Sequence, residues 1–79
     1  MPILGKTDRH INVDEINGLA ISTVIIAANW YETMVFAFYP GTRNLDMSGV
    51  YSEVYSTEED ARKGHDRIVK MAKKGHFKN

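Results

Sequence analysis

The chain has no cysteine among its 79 residues, which excludes a disulfide framework, a thiolate metal site and a thiol nucleophile. A reducing compartment suits such a chain. Long apolar runs are missing too. Nothing approaches the roughly 18–20 residues that cross a bilayer, and Met1-Pro2-Ile3-Leu4 lacks a signal-peptide pattern. The expected location is therefore cytoplasmic, with no membrane partner. His10, His65 and His76 fall at no metal-ligand spacing. Pro40-Gly41 and Gly5-Lys6-Thr7 are too short to form a phosphate-cradling loop. No metal and no cofactor are expected. A chain this short forms one domain, 1–79, that buries only about 60–65% of its unfolded surface.

An excess of charge of either sign is also lacking, because two opposite excesses cancel. Residues 1–60 carry three Lys or Arg against nine Asp or Glu, which is −6; residues 61–79 carry seven against the single Asp66, which is +6. A basic end on a neutral chain suits a solvated helix terminus, an anion site, or contact with acidic surface on another subunit.

What is present reads as strands followed by one helix. Residues 1–10 show no period and are expected to be irregular. His10 to Ile16 alternates weakly and meets Asn17-Gly18, whose residues tolerate the positive φ of a type I′ hairpin turn. A competing reading starts a helix at Asn12, with Glu15 completing a capping box. The β-branched residues Ile21, Thr23, Val24, Ile25 and Ile26 argue for a strand instead. Strands are expected over Leu19–Ala28 and Trp30–Tyr39, joined through Ala27-Ala28-Asn29. The second of these is apolar on both faces, with Trp30, Met34, Phe36 and Phe38 on one and Tyr31, Val35 and Tyr39 on the other. Such a strand lies in a sheet covered on both sides. One helix covers one face, so the other calls for a second subunit. Pro40-Gly41 suits a type II turn, and a further strand is expected over Gly49–Tyr55.

Ser56 as N-cap places Glu59 at the third helical position, a capping box, with Glu58, Glu59 and Asp60 in the turn where the dipole favours anions. Ala61, Gly64, His65, Ile68, Met71 and Ala72 recur at helical spacing and form the sheet-facing stripe. Glu58–Arg62, Glu59–Lys63 and Asp66–Lys70 are possible i,i+4 pairs. Gly75 suits the helix end, and 76–79 is expected to fray as a basic tail. The fold class is α+β: a three- to four-stranded antiparallel meander with one C-terminal helix packed on one face.

Few residues suggest chemistry. Gly64 costs about 1 kcal/mol relative to alanine inside a helix, and either close packing or room for a ligand beside His65 would offset it. His65 sits at the border of the apolar stripe, the usual place of a hydrogen-bonded structural histidine. Glu32 lies between Trp30 and Met34 and needs a partner such as Arg62 or His65, an edge, or a mouth. A Glu32–His65 pair could also act as acid and base in a small hydrolase. The strand aromatics interleave with a basic helix, but such aromatics mostly form core and cross-strand pairs, so nucleic acid is not expected as a partner.

Four segments together resemble a widespread family of small, mostly uncharacterised bacteriophage proteins. These are Ile21-Ser22-Thr23-Val24, then Tyr31-Glu32-Thr33-Met34-Val35-Phe36, then Leu45-Asp46, and Tyr55-Ser56-Thr57-Glu58-Glu59 through Gly64-His65. The resemblance spans about residues 21–72. It implies a phage protein acting in an infected bacterial host. By analogy with oligomeric phage proteins that sequester nucleotide immune signals, it suggests a counter-defence role. The leading expectation is a homo-oligomeric binding protein, not an enzyme, that holds a small anionic nucleotide at a subunit interface. Tyr31, Glu32, Thr33, Arg43, Tyr55, Arg62 and His65 are its expected ligand-binding residues, with no catalytic residue assigned. The alternatives are a module that inhibits a host or phage protein without a small ligand, and the Glu32–His65 hydrolase.

Overall fold

A computed structural model describes residues 10–77. Strands β1 (His10–Ile16), β2 (Leu19–Ala27), β3 (Trp30–Phe38) and β4 (Leu45–Tyr55) precede helix α1 (Glu58–Lys73). The strands form one antiparallel sheet in the order β1-β2-β3-β4, with α1 packed on one side, so the α+β meander with a C-terminal helix holds. Of the irregular N-terminal segment, residues 1–9 lie outside the described residues, and His10 opens β1.

The turns follow local chemistry. Asn17 (φ 52°) and Gly18 (φ 80°) join β1 to β2 as the I′ pattern requires, so the competing helix from Asn12 does not form. The β2–β3 turn narrows to Ala28-Asn29, with Asn29 at φ 60°. At Pro40-Gly41 the Thr42 amide donates to the Tyr39 carbonyl at 3.0 Å, and Gly41 takes φ 73°.

Strand β4 begins earlier than its alternation suggests. Leu45 and Asp46 pair with Phe38 and Ala37, the register then breaks, and Tyr51 resumes opposite Val35. Gly49 sits in the break at φ 80°. A bulge of this kind erases the period-2 signal over residues 45–50 while keeping them in the strand.

The pleat divides the sheet into two faces. Asp14, Ile16, Leu19, Ile21, Thr23, Thr33, Val35, Tyr51, Glu53 and Tyr55 lie under α1. There Leu19, Ile21 and Val35 join Ile68, Ala72 and Phe77 in the core. The other face carries Glu15, Ala20, Ser22, Val24, Trp30, Glu32, Met34, Phe36, Val50, Ser52 and Val54, and no element of the described chain lies over it.

The helix cap differs from expectation by one residue. Pairing of β4 runs through Tyr55 opposite Tyr31, so the chain turns one step later. Thr57, extended at φ −132° and ψ 154°, is the N-cap, and its hydroxyl accepts from the Asp60 amide at 3.1 Å. Asp60 thereby takes the third helical position in place of Glu59. The Glu58–Arg62 and Glu59–Lys63 pairs form at 2.8 and 3.1 Å. At the far end the His76 amide bonds the Met71 carbonyl and the Gly75 amide bonds that of Ala72, a Schellman ending with Gly75 at φ 79°. That ending turns the chain back toward the core. Phe77, expected in a fraying tail, is 7% exposed and packs on Tyr51 with ring centroids 5.3 Å apart.

Candidate functional site

The helix–sheet interface contains a continuous polar chain. His65 is fully buried. Its Nε2 lies 2.7 Å from Oδ2 of Asp14 on β1, and its Nδ1 lies 2.7 Å from the Thr23 hydroxyl on β2. A carboxylate only accepts, so Nε2 of His65 donates to Asp14. The Thr23 hydroxyl is also hydrogen-bonded to that of Thr33 on β3, 2.5 Å away. On β4 the Tyr55 hydroxyl donates to Glu53 at 2.7 Å, Tyr51 donates to the other carboxylate oxygen at 2.5 Å, and Arg67 of α1 closes on the same carboxylate. The series touches all four strands and meets the helix twice.

Acid, imidazole and hydroxyl in this order match the sequence of groups that activates a nucleophile. Access decides against that role. Thr23 and Thr33 are 0% exposed, and each oxygen is already engaged by a neighbour. Neither threonine oxygen is accessible to a substrate carbonyl or phosphorus. Among the described residues no buried side-chain nitrogen or oxygen lacks a partner. A fully satisfied buried network fixes structure.

Gly64 supports the same conclusion. A Cβ there would collide with the Tyr55 ring and hydroxyl, so the glycine serves close packing. Burial, and then the hydrogen bond to Glu53, push the Tyr55 phenol up to about 12. Burial alone would raise the Glu53 carboxyl, but Tyr51, Tyr55 and Arg67 together hold it below its ordinary value.

The expected ligand residues do not converge. Thr33 and His65 are buried in the polar chain, with Tyr55 at its margin. Tyr31 follows on the same face, opposite Tyr55. Glu32 pairs with Val24 and Val54 on the other face, so the sheet separates it from His65 and the proposed acid–base pair has no geometric basis. Arg62 is held by Glu58 at 2.8 Å on the outer helix surface. Arg43 leaves the β3–β4 connection, lies 4.6 Å over the Phe38 ring and reaches Glu15 at 2.9 Å. Asp14 and Thr23, the actual partners of His65, went unnoticed in the sequence. The Ala28-Asn29 turn alone would set Thr23 against Met34; the register shift between Ile25 and Ala27 brings Thr33 opposite Thr23 instead.

Two concavities complete the inventory. One, of about 350 Å³, is mainly apolar and lies between the Asn17-Gly18 turn and the end of α1, with Leu19, Phe38 and Phe77 in its wall. The other is an open groove of about 400 Å³ on the outer helix surface, lined by Lys63, Asp66, Arg67, Lys70, Met71 and Lys74. No cluster of metal-ligating side chains occurs among the described residues, and no described helix is long and apolar enough to cross a membrane. Comparison with protein-family models, curated proteins and solved structures finds no match.

Proposed function

We propose that the protein is a non-catalytic, homo-oligomeric binding protein for a small anionic ligand of nucleotide type, acting in the phage counter-defence setting that its sequence motifs suggest. The observation carrying this reading is the groove on α1. Lys63, Arg67, Lys70 and Lys74 follow one another at i, i+4, i+7 and i+11 and share one wall of the helix. Lys63 is paired to Glu59 and Arg67 to Glu53, whereas Lys70 and Lys74 have no carboxylate partner among the described residues. The only acid in the lining is Asp66. Lys70 and Lys74, one turn apart beside the paired Lys63 and Arg67, present charge that phosphate groups neutralise with little rearrangement. This assignment moves the ligand from the expected tyrosine and histidine set to the outer helix.

Calorimetric titration with a nucleoside triphosphate, a cyclic dinucleotide and inorganic pyrophosphate tests the reading. Binding that weakens with salt and is lost in the Lys70→Glu/Lys74→Glu variant is expected. No heat with any of the three probes at low salt contradicts it.

The sheet face without a helix favours a second reading, a module that docks on another protein and takes no small ligand. A stoichiometric protein partner captured from infected cells, with no nucleotide retained, would distinguish it.

A further inference from the structure

We propose that two copies join along the outer edges of their β4 strands, antiparallel and centred on Ser52, so that two four-stranded sheets become one continuous sheet. The inference rests on the homo-oligomeric part of the reading above and specifies its interface.

The two edges of the sheet, β1 and β4, are guarded differently. A bare edge presents unpaired N–H and C=O groups at alternate residues, a template for another strand. On β1 the register breaks between His10 and Asn12, the Asn12 side chain accepts from the Val13 amide at 3.0 Å, and the charged Asp14 and Glu15 follow. The first half of β4 is protected as well. There Asp46 accepts from the amide and the hydroxyl of Ser48 at 3.1 and 2.7 Å, and the Gly49 bulge comes next. Residues 50–55 carry no such device. Tyr51 to Tyr55 keep unbroken register with β3 on one side, and no described strand lies on the other. Val50 is 39% exposed, Val54 is 60% exposed, and Ser52 between them is exposed. The single charge of this segment, Glu53, is engaged by Tyr51, Tyr55 and Arg67.

Self-complementarity selects a second copy as the occupant and fixes the register. With Ser52 on a two-fold axis, Val50 of each copy lies opposite Val54 of the other, and Tyr51 lies opposite Glu53. Both exposed valines then meet apolar partners, and each carboxylate faces a phenol, so no like charges are opposed. Moving the axis to Glu53 would set the two carboxylates against each other. Moving it to Tyr51 would place Val54 opposite Ser48, inside the protected half. An axis normal to the sheet keeps both α1 helices on one side and leaves the guarded β1 strands as the outer edges, so growth stops at a dimer. The seam over residues 50–55 is about 20 Å long. It is smaller than a standard interface, so the dimer is concentration-dependent.

Sedimentation velocity on the full chain over a concentration series tests the arrangement, with circular dichroism confirming that each variant is folded. The wild-type protein should show a monomer–dimer equilibrium. Ser52 is exposed, so charge there leaves the fold intact. Ser52→Lys and Ser52→Glu each set like charges together on the axis and should weaken dimerisation about tenfold or more. An equimolar mixture of the two variants should recover dimers, because the introduced charges are then opposite. A dimer unchanged by Ser52→Lys, or a mixture no better than the separate variants, overturns this interface while leaving a homo-oligomer standing. A wild-type protein monomeric throughout the series overturns both.

Discussion

Gly64 and Tyr55 meet where the helix comes nearest to the sheet, and a single added carbon tests how near. Alanine at position 64 improves helix propensity by about 1 kcal/mol. Its Cβ nevertheless enters the Tyr55 ring, and overpacking of this kind costs typically 1–3 kcal/mol. Gly64→Ala should therefore lower the urea midpoint at an unchanged slope; a raised midpoint would mean that propensity alone governs the site. The neighbouring threonines make a second test. Thr23→Val strips a partner from both His65 and Thr33, with an expected loss of about 1–3 kcal/mol. Since Thr33 is bonded to the same oxygen, the Thr23→Val/Thr33→Val double variant should lose less than the sum of the singles. Strict additivity would show that the two hydroxyls are not coupled. The glycine anomaly was legible in the sequence, because a helix interior disfavours glycine. Its cause was not, since Tyr55 becomes its neighbour only when β4 folds under α1.

At the scale of elements, turns and caps were the legible parts. Asn17-Gly18, Pro40-Gly41 and Gly75 each need a positive φ, and each takes one. What escaped depends on pairing between distant strands. Asp14 meets His65 because β1 adds to β2 in one register, and a slip of one residue would present Glu15 instead. The Gly49 bulge hid half of β4 for a related reason, since alternation is the signal that a bulge interrupts. The β4 carboxylate and phenols also predict how the fold responds to pH. Tyr55 is raised from 10.0 in the open chain to about 12, so the folded state favours its protonated form. That contribution is complete below pH 10 and is lost as the pH climbs from 10 through 12. Glu53 has the opposite sign: its lowered value stabilises the fold above the ordinary carboxylate range, and the gain is lost as pH falls through it. Thermal melts should therefore decline at both extremes, and Tyr55→Phe should flatten the alkaline decline. An alkaline limb unchanged by Tyr55→Phe would place its origin elsewhere.

For the whole molecule, the two sides of the sheet have separate tasks. One is closed by α1, with His65, Thr23 and Thr33 buried and hydrogen-bonded beneath it. The other has no described element over it and exposes Trp30 and Val54, while Ala20, Ser22 and Phe36 on it are buried. The expected ligand residues scattered because sequence proximity in β3 alternates between these faces: Glu32 and Thr33 are neighbours in the chain and lie on opposite sides of the sheet. The basic helix surface, visible in the sequence only as a net charge, supplies a groove instead. Amide-resolved NMR during titration with a nucleoside triphosphate tests this division of labour most directly. The account predicts salt-sensitive shifts over Lys63–Lys74, strongest at the groove-lining positions, with Thr23 and Thr33 unmoved. Shifts centred on Thr23, Thr33 and His65, or none anywhere along α1, would contradict it.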